Sequence, residues 1–171
     1  MKALSLLLIT ITLFYANIIN FDTYQANFTQ TVRNNSGKLI KYTGKIFIDN
    51  HSNILWRYKT PIIKNIYINK KLVIIDEPEL EQAILSPLKN ELNFFDLLNN
   101  SKKISKNIYN NKINGVLYKL VIKNNNLYSI TYTDEIDNHI KIVFTNQQKN
   151  IHFDKNLFKF TTPAYYDVIR K

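Results

Sequence analysis

The chain has 171 residues, 45% of them apolar, and no cysteine. Disulfide staples and thiolate metal sites are therefore excluded, and an ordinary hydrophobic core must hold one domain together. The formal charge is +10, but the lysines are scattered along the chain and form no basic stripe with stacking aromatics, which argues against nucleic acid. The balance reads as compositional drift in an Asn-, Lys- and Ile-rich chain, with a mild attraction to anionic lipid head groups.

In chain order, Lys2, an apolar run over residues 3–14 and a small Ala16 have the layout of a secretory signal peptide. The run is well short of the ~20 residues that span a bilayer. The expectation is a leader at residues 1–16 and one exported domain at 17–171. Without a cysteine, that domain has no site for an N-terminal lipid of its own. Residues 17–26 read as a short helix.

Strand patterning follows. Over residues 41–49, Tyr42, Gly44, Ile46 and Ile48 fall on one face and Lys41, Thr43, Lys45 and Asp49 on the other. Residues 53–59 keep the alternation with Ile54, Trp56 and Tyr58, and 62–69 and 71–76 are denser apolar runs. Residues 116–123, 127–133 and 139–145 resume it, the last with Ile140, Ile142 and Phe144 on one face. Asn clusters punctuate the runs at turn-like intervals, where left-handed backbone is wanted. Eleven Tyr, ten Phe and abundant Ile also favour strands. The pattern is that of an antiparallel sandwich or barrel built as a meander.

Residues 88–98 break it. Phe94, Leu97 and Leu98 recur at helical spacing, with Leu88, Glu91 and Phe95 near the same stripe. This predicts an amphipathic helix inserted between strands. Periodicity alone favours a plug at one barrel end over a movable lid.

Catalytic signals are weak. His51, His139 and His152 share no metal-ligand spacing, and no nucleophile elbow, phosphate loop or dinucleotide fingerprint occurs. Asp134, Glu135 and Asp137 stand beside Asn138, where turn geometry wants such residues; a weak Ca²⁺ site is the competing reading. Asp76, Glu77, Glu79 and Glu81 flank Pro78 and read as a solvated turn. The expectation is a protein that is no enzyme and uses no metal or cofactor.

Four stretches carry a resemblance. They are Tyr24 followed by Ala26, Phe28 and Gln30; Gly44-Lys45-Ile46-Phe47-Ile48 followed by Trp56 and Pro61; Glu81-Gln82-Ala83; and the ending from Phe158 through Thr161-Thr162-Pro163 to Ile169. In this order and spacing the chain resembles the periplasmic outer-membrane lipoprotein carriers, the LolA family. The resemblance implies a mainly β fold with short helices, an unclosed antiparallel half-barrel capped by an α-helical lid. It implies a periplasmic monomer that takes triacylated lipoproteins from an inner-membrane ABC transporter and delivers them to the outer membrane and any acceptor there. Residues 88–98 then read as the lid. Ile46, Ile48, Trp56 and Tyr58 would line the acyl-chain cavity, and Phe94, Phe95, Leu97 and Leu98 would close it. Where well-known members carry a lid-latching arginine, this chain has Asn50, which is too short for that multi-donor contact. The resemblance therefore implies a weaker latch, or one taken over by Arg57 or Arg33. The rival readings are an exported half-barrel sensor of another apolar ligand and an interaction module docking through its aromatic face.

Overall fold

Alternating apolar and polar residues become strands here, and every strand joins a single sheet. The computed structural model describes residues 19, 21–69, 71–88, 94–154 and 156–171, the side chains of 95 and 96 excepted. The expected leader at 1–16 lies outside them. The strands are β1 (Thr23–Arg33), β2 (Leu39–Asp49), β3 (Ile54–Thr60), β4 (Lys64–Ile68), β5 (Leu72–Glu77), β6 (Gln82–Pro87), β7 (Lys102–Ser105), β8 (Ile108–Ile113), β9 (Val116–Lys123), β10 (Asn126–Thr133), β11 (His139–Lys149) and β12 (Asp167–Arg170). One helix, α1 (Phe94–Asn99), interrupts them.

The sheet order is β12-β6-β5-β4-β3-β2-β1-β11-β10-β9-β8-β7. It has two free edges and is therefore unclosed. Neighbours are antiparallel except β12, which runs parallel to β6. The meander is broken where β1 pairs with β11, so the chain's first long strand sits mid-sheet. Its tight connections use the Asn chemistry that the sequence advertises: Asn107, Asn114, Asn124 and Asn125 all take positive φ. Two hairpins are capped alike. Asp49 Oδ1 accepts the N–H groups of His51 and Asn53, as Asp134 Oδ1 accepts those of Ile136 and Asn138.

Register puts the apolar set on one face. Ile46 lies opposite Trp56 and Ala26, and Ile48 opposite Ile54 and Tyr24. From the other half of the sheet Phe144, Ile142, Ile130 and Leu120 join the same core. Gly44 sits between Phe28 and Tyr58 on the neighbouring strands. A Cβ there would stand 2.2 Å from the Arg57 carbonyl oxygen and 2.8 Å from the Phe28 ring. The missing side chain is what lets Phe28 lie across β2 and meet Tyr58 edge-on at 5.0 Å.

The outer face is divided. After β11 the chain crosses over β2–β5: Phe153 packs on Phe47 at 5.8 Å and Phe160 on Tyr67 at 5.6 Å before β12 docks beside β6. This cover explains why Leu55 and Ala83, on the outer side by register, are fully buried.

Three expectations need correction. From Thr23 onward the proposed 17–26 helix is strand β1, because Tyr24 and Ala26 alternate into the core. The proposed 88–98 helix is helical only from Phe94; Leu88 instead donates its N–H to the Lys71 carbonyl and prolongs the β5–β6 hairpin. Residues 89–93 of that proposal lie outside the described residues. Asp76 is no solvated turn residue. It is buried in β5 on the outer face and accepts a 2.8 Å hydrogen bond from Asn65 Nδ2. The turn proper is the 3-10 segment Pro78–Leu80.

A Gly44→Ala chain should lose about 1–3 kcal/mol of stability by overpacking. Denaturant melts would show it as a lower midpoint at unchanged slope.

Candidate functional site

An open sheet with one apolar face must cover that face with something. Helix α1 covers part of it here, and Ile19 and Phe21 ahead of β1 pack on the same core. Phe94, Leu97 and Leu98 of the helix are all buried in the core formed by the inner face. The Phe94 ring lies 6.4 Å from Trp56 and 6.2 Å from Phe144, both in edge contacts. Phe28 adds an edge contact to Trp56 at 5.0 Å. Four aromatic rings from β1, β3, β11 and α1 thus fill the space between sheet and helix. The helix stops at Asn99, where the Ser101 hydroxyl donates to the Leu97 carbonyl.

Polar groups edge this interior. Tyr58 donates a 2.8 Å hydrogen bond to Gln30 Oε1 and meets Tyr42 edge-on at 5.9 Å. Lys64 Nζ lies 5.3 Å over the Tyr58 ring. Further along, Tyr24 donates to Gln147 Oε1 at 3.0 Å, and Gln147 in turn donates to the Leu127 carbonyl. Burial pushes the Tyr58 phenol up to about 12, with Tyr42 adding to the rise, and pushes Tyr24 higher still. Neutral phenols satisfied within the protein make these edges compatible with an apolar occupant.

Of the side chains read from sequence, Ile46, Ile48, Trp56, Phe94, Leu97 and Leu98 come together in one core, with Tyr58 half-buried against it. Phe95 belongs to α1, but its side chain lies outside the described residues. Sequence reasoning missed the part played by Phe28 and Phe144. The signal was present: Phe28 stands between Asn27 and Thr29, Phe144 shares the face of Ile140 and Ile142, and register aligns the two rings directly across β1 and β11.

The family model for "Outer membrane lipoprotein carrier protein LolA" matches residues 20–115. The chain belongs to the LolA family. A Campylobacter jejuni protein named outer-membrane lipoprotein carrier protein is 36% identical over 156 residues, covering 91% of both chains. Its Wolinella succinogenes namesake is 33% identical over 153 residues, covering 89% of both. Among solved structures, a LolA superfamily protein from Nitrosomonas europaea aligns with TM-score 0.51 at 10% identity, covering 85% of this chain and 94% of that one. An uncharacterized conserved protein from Thermus thermophilus reaches 0.53 at 10% identity, over 87% and 90%. At such identities the likeness concerns the fold alone.

In this LolA-family chain Asn50 stands on the exposed β2–β3 turn. It borders a shallow hollow with Ile151, Phe153 and Phe158. Among the described residues no hydrogen bond joins it to α1. The alternative arginines do not face the helix either. Arg57 points to the outer face, its guanidinium 5.5 Å from the Phe47 ring centroid, and Arg33 is exposed and outward by register at the end of β1. At the other acidic site, both Asp134 oxygens are committed to the hairpin, Oδ2 accepting from Asn138 Nδ2 at 2.9 Å. Slight desolvation opposes it, but the Asn138 and Ile136 donors hold this carboxyl below its ordinary range. Among the described residues no group of three or more His, Asp or Glu is placed to hold a metal.

Tyr58 supplies a pH signature. Its folded pKa is above the ordinary 10.0, so its contribution to stability is full below pH 10 and lost as pH rises through about 12. A Tyr58→Phe chain should therefore lose stability less steeply over that window than the parent, as measured by denaturant melts at stepped pH.

Proposed function

We propose that this chain carries lipoproteins across the periplasm, sheltering their acyl chains between the inner face of the sheet and helix α1. The observation that carries this reading is the interior itself: aromatic and aliphatic side chains that pack on one another and are covered by a helix of six residues. Relatives named outer-membrane lipoprotein carrier protein over about nine-tenths of the chain support it.

The energetics suit a shuttle. Burying Phe94, Leu97 and Leu98 is worth roughly 5–9 kcal/mol in total, at about 1.5–3 kcal/mol each. An acyl chain gains about 0.8 kcal/mol per buried CH₂, so three long chains fully enclosed would release tens of kcal/mol and never leave. A carrier must bury them partly and spend some of the gain on displacing its own cover. Helix α1 is that cover: it acts as a lid, and Trp56, Phe28 and Phe144 hold it when no cargo is present. Closure then rests on ring packing, with Asn50 contributing little. An inner-membrane ABC transporter supplies the cargo and the work of loading, and an acceptor at the outer membrane receives it.

Leu97→Asp or Trp56→Asp should abolish recovery of a soluble carrier–lipoprotein complex after release from inner-membrane preparations, while Asn50→Ala leaves recovery within about twofold. Circular dichroism checks that each variant folds. Normal recovery with Leu97→Asp contradicts the proposal, as does correct sorting of outer-membrane lipoproteins in cells depleted of the carrier.

A further inference from the structure

The half of the outer face that the C-terminal segment leaves bare has an uneven charge distribution. Register aligns a row across five neighbouring strands: Lys119 on β9, Thr131 on β10, Lys141 on β11, Thr31 on β1 and Lys41 on β2. All point outward, opposite in pleat to Leu120, Ile130, Ile142 and Val32. With strands about 4.8 Å apart, successive lysines are rooted roughly 10 Å apart. Lys45, four residues along β2, pairs with Arg57 and extends the field to β3.

No carboxylate interrupts this field. β1, β3, β9, β10 and β11 contain no Asp or Glu, and β2 has only Asp49. Asp49 lies at the strand end, where the β2–β3 turn engages both its oxygens. Asp134, Glu135 and Asp137 lie in the β10–β11 turn just beyond the row, and the hairpin engages both Asp134 oxygens. Lys41, Lys119 and Lys141 are exposed, and among the described residues no ion pair engages them.

We propose that this face docks the protein on the anionic head groups of a lipid bilayer. The ground between the lysines decides the kind of partner. It consists of Thr29, Thr31, Thr43 and Thr131 with the half-buried Val143 among them, the exposed Leu39 and Leu117 at its margins and no aromatic anchor. Specific protein interfaces are depleted of lysine and depend on buried anchors of that sort. The half of this face that does have aromatic anchors is already covered by the chain's own Phe153 and Phe160. Nucleic acid would need free rings for stacking, and Tyr128 beside the field has Lys123 Nζ 3.5 Å over its ring. A plane of anionic head groups needs only spaced cations on a flat polar ground, and each lysine near it is worth about fivefold in affinity. Docked this way, the helix-covered side points away from the bilayer. The two faces work independently, and the inference does not depend on what the concave side holds.

The test is co-sedimentation of the full chain with phosphatidylcholine vesicles containing or lacking about 30% phosphatidylglycerol, at low and high salt. The expected result is binding to the anionic vesicles alone, lost at high salt. The triple variant K41Q/K119Q/K141Q should lose at least about tenfold in affinity. K71Q/K106Q/K171Q, which removes the same charge elsewhere, should lose less than about threefold. Three results overturn the proposal: no binding to anionic vesicles, salt-insensitive binding, or equal loss in the two triple variants. Selective capture of an acidic protein in place of the vesicles overturns it as well.

Discussion

The structure depends on the need to cover one apolar sheet face. Twelve strands in one sheet with two free edges cannot bury their inner side chains against one another as a closed small barrel does. Ile46, Ile48, Trp56, Phe28 and Phe144 would face water if nothing lay over them. Helix α1 supplies Phe94, Leu97 and Leu98, and these three side chains, like Ile19 from outside the sheet, join the core. Their position is thus fixed by the sheet, while the short helix that carries them has little stability of its own. A cover held almost wholly by side-chain packing is one that another apolar body can replace. In the proposed function, that property is what would connect the fold to carriage of acyl chains.

The two faces of the sheet solve different problems. On the inner side the chain keeps a large apolar surface in reserve beneath a small cover. On the outer side the C-terminal segment permanently closes the half bearing Phe47, Leu55 and Tyr67, and the parallel β12–β6 pairing ties that segment down. The remaining outer half is left open, with Thr and Lys predominating over a few aliphatic side chains such as Val143. Gly44 belongs to the same division: a residue without Cβ lets Phe28 reach over β2 and join the inner rings.

The strands with one buried face could be read directly. β9, β10 and β11 are of this kind; β2 and β3 also show their inner-face alternation, although Phe47 and Leu55 are buried on their outer sides. Where both faces are covered or neither is, alternation can vanish. β6 packs Ala83 outward beneath the C-terminal segment and leaves no period-two signal, and β7, with all four residues exposed, has none to give. β12 pairs with a strand far away in sequence, which no local pattern encodes. The 88–98 helix was overextended because Leu88 fits the helical stripe although its backbone is engaged by the hairpin. In the candidate site, Trp56, Phe94, Leu97 and Leu98 were legible as apolar residues in the right phase. Their union with Phe28 and Phe144 required the β1–β11 register. Counting along β2 placed Asn50 at a latch, yet the Asp49-capped turn carries it out to the surface.

The single tryptophan provides the most direct test of the central claim, that cargo takes the place of the packed lid side chains. Trp56 touches Phe94, Phe28 and Phe144, so an acyl chain that replaces Phe94 must come within contact of its indole. A triacylated lipopeptide with brominated acyl chains should quench Trp56 emission on binding, in proportion to occupancy. Stoichiometric binding that leaves Trp56 unquenched would contradict the account.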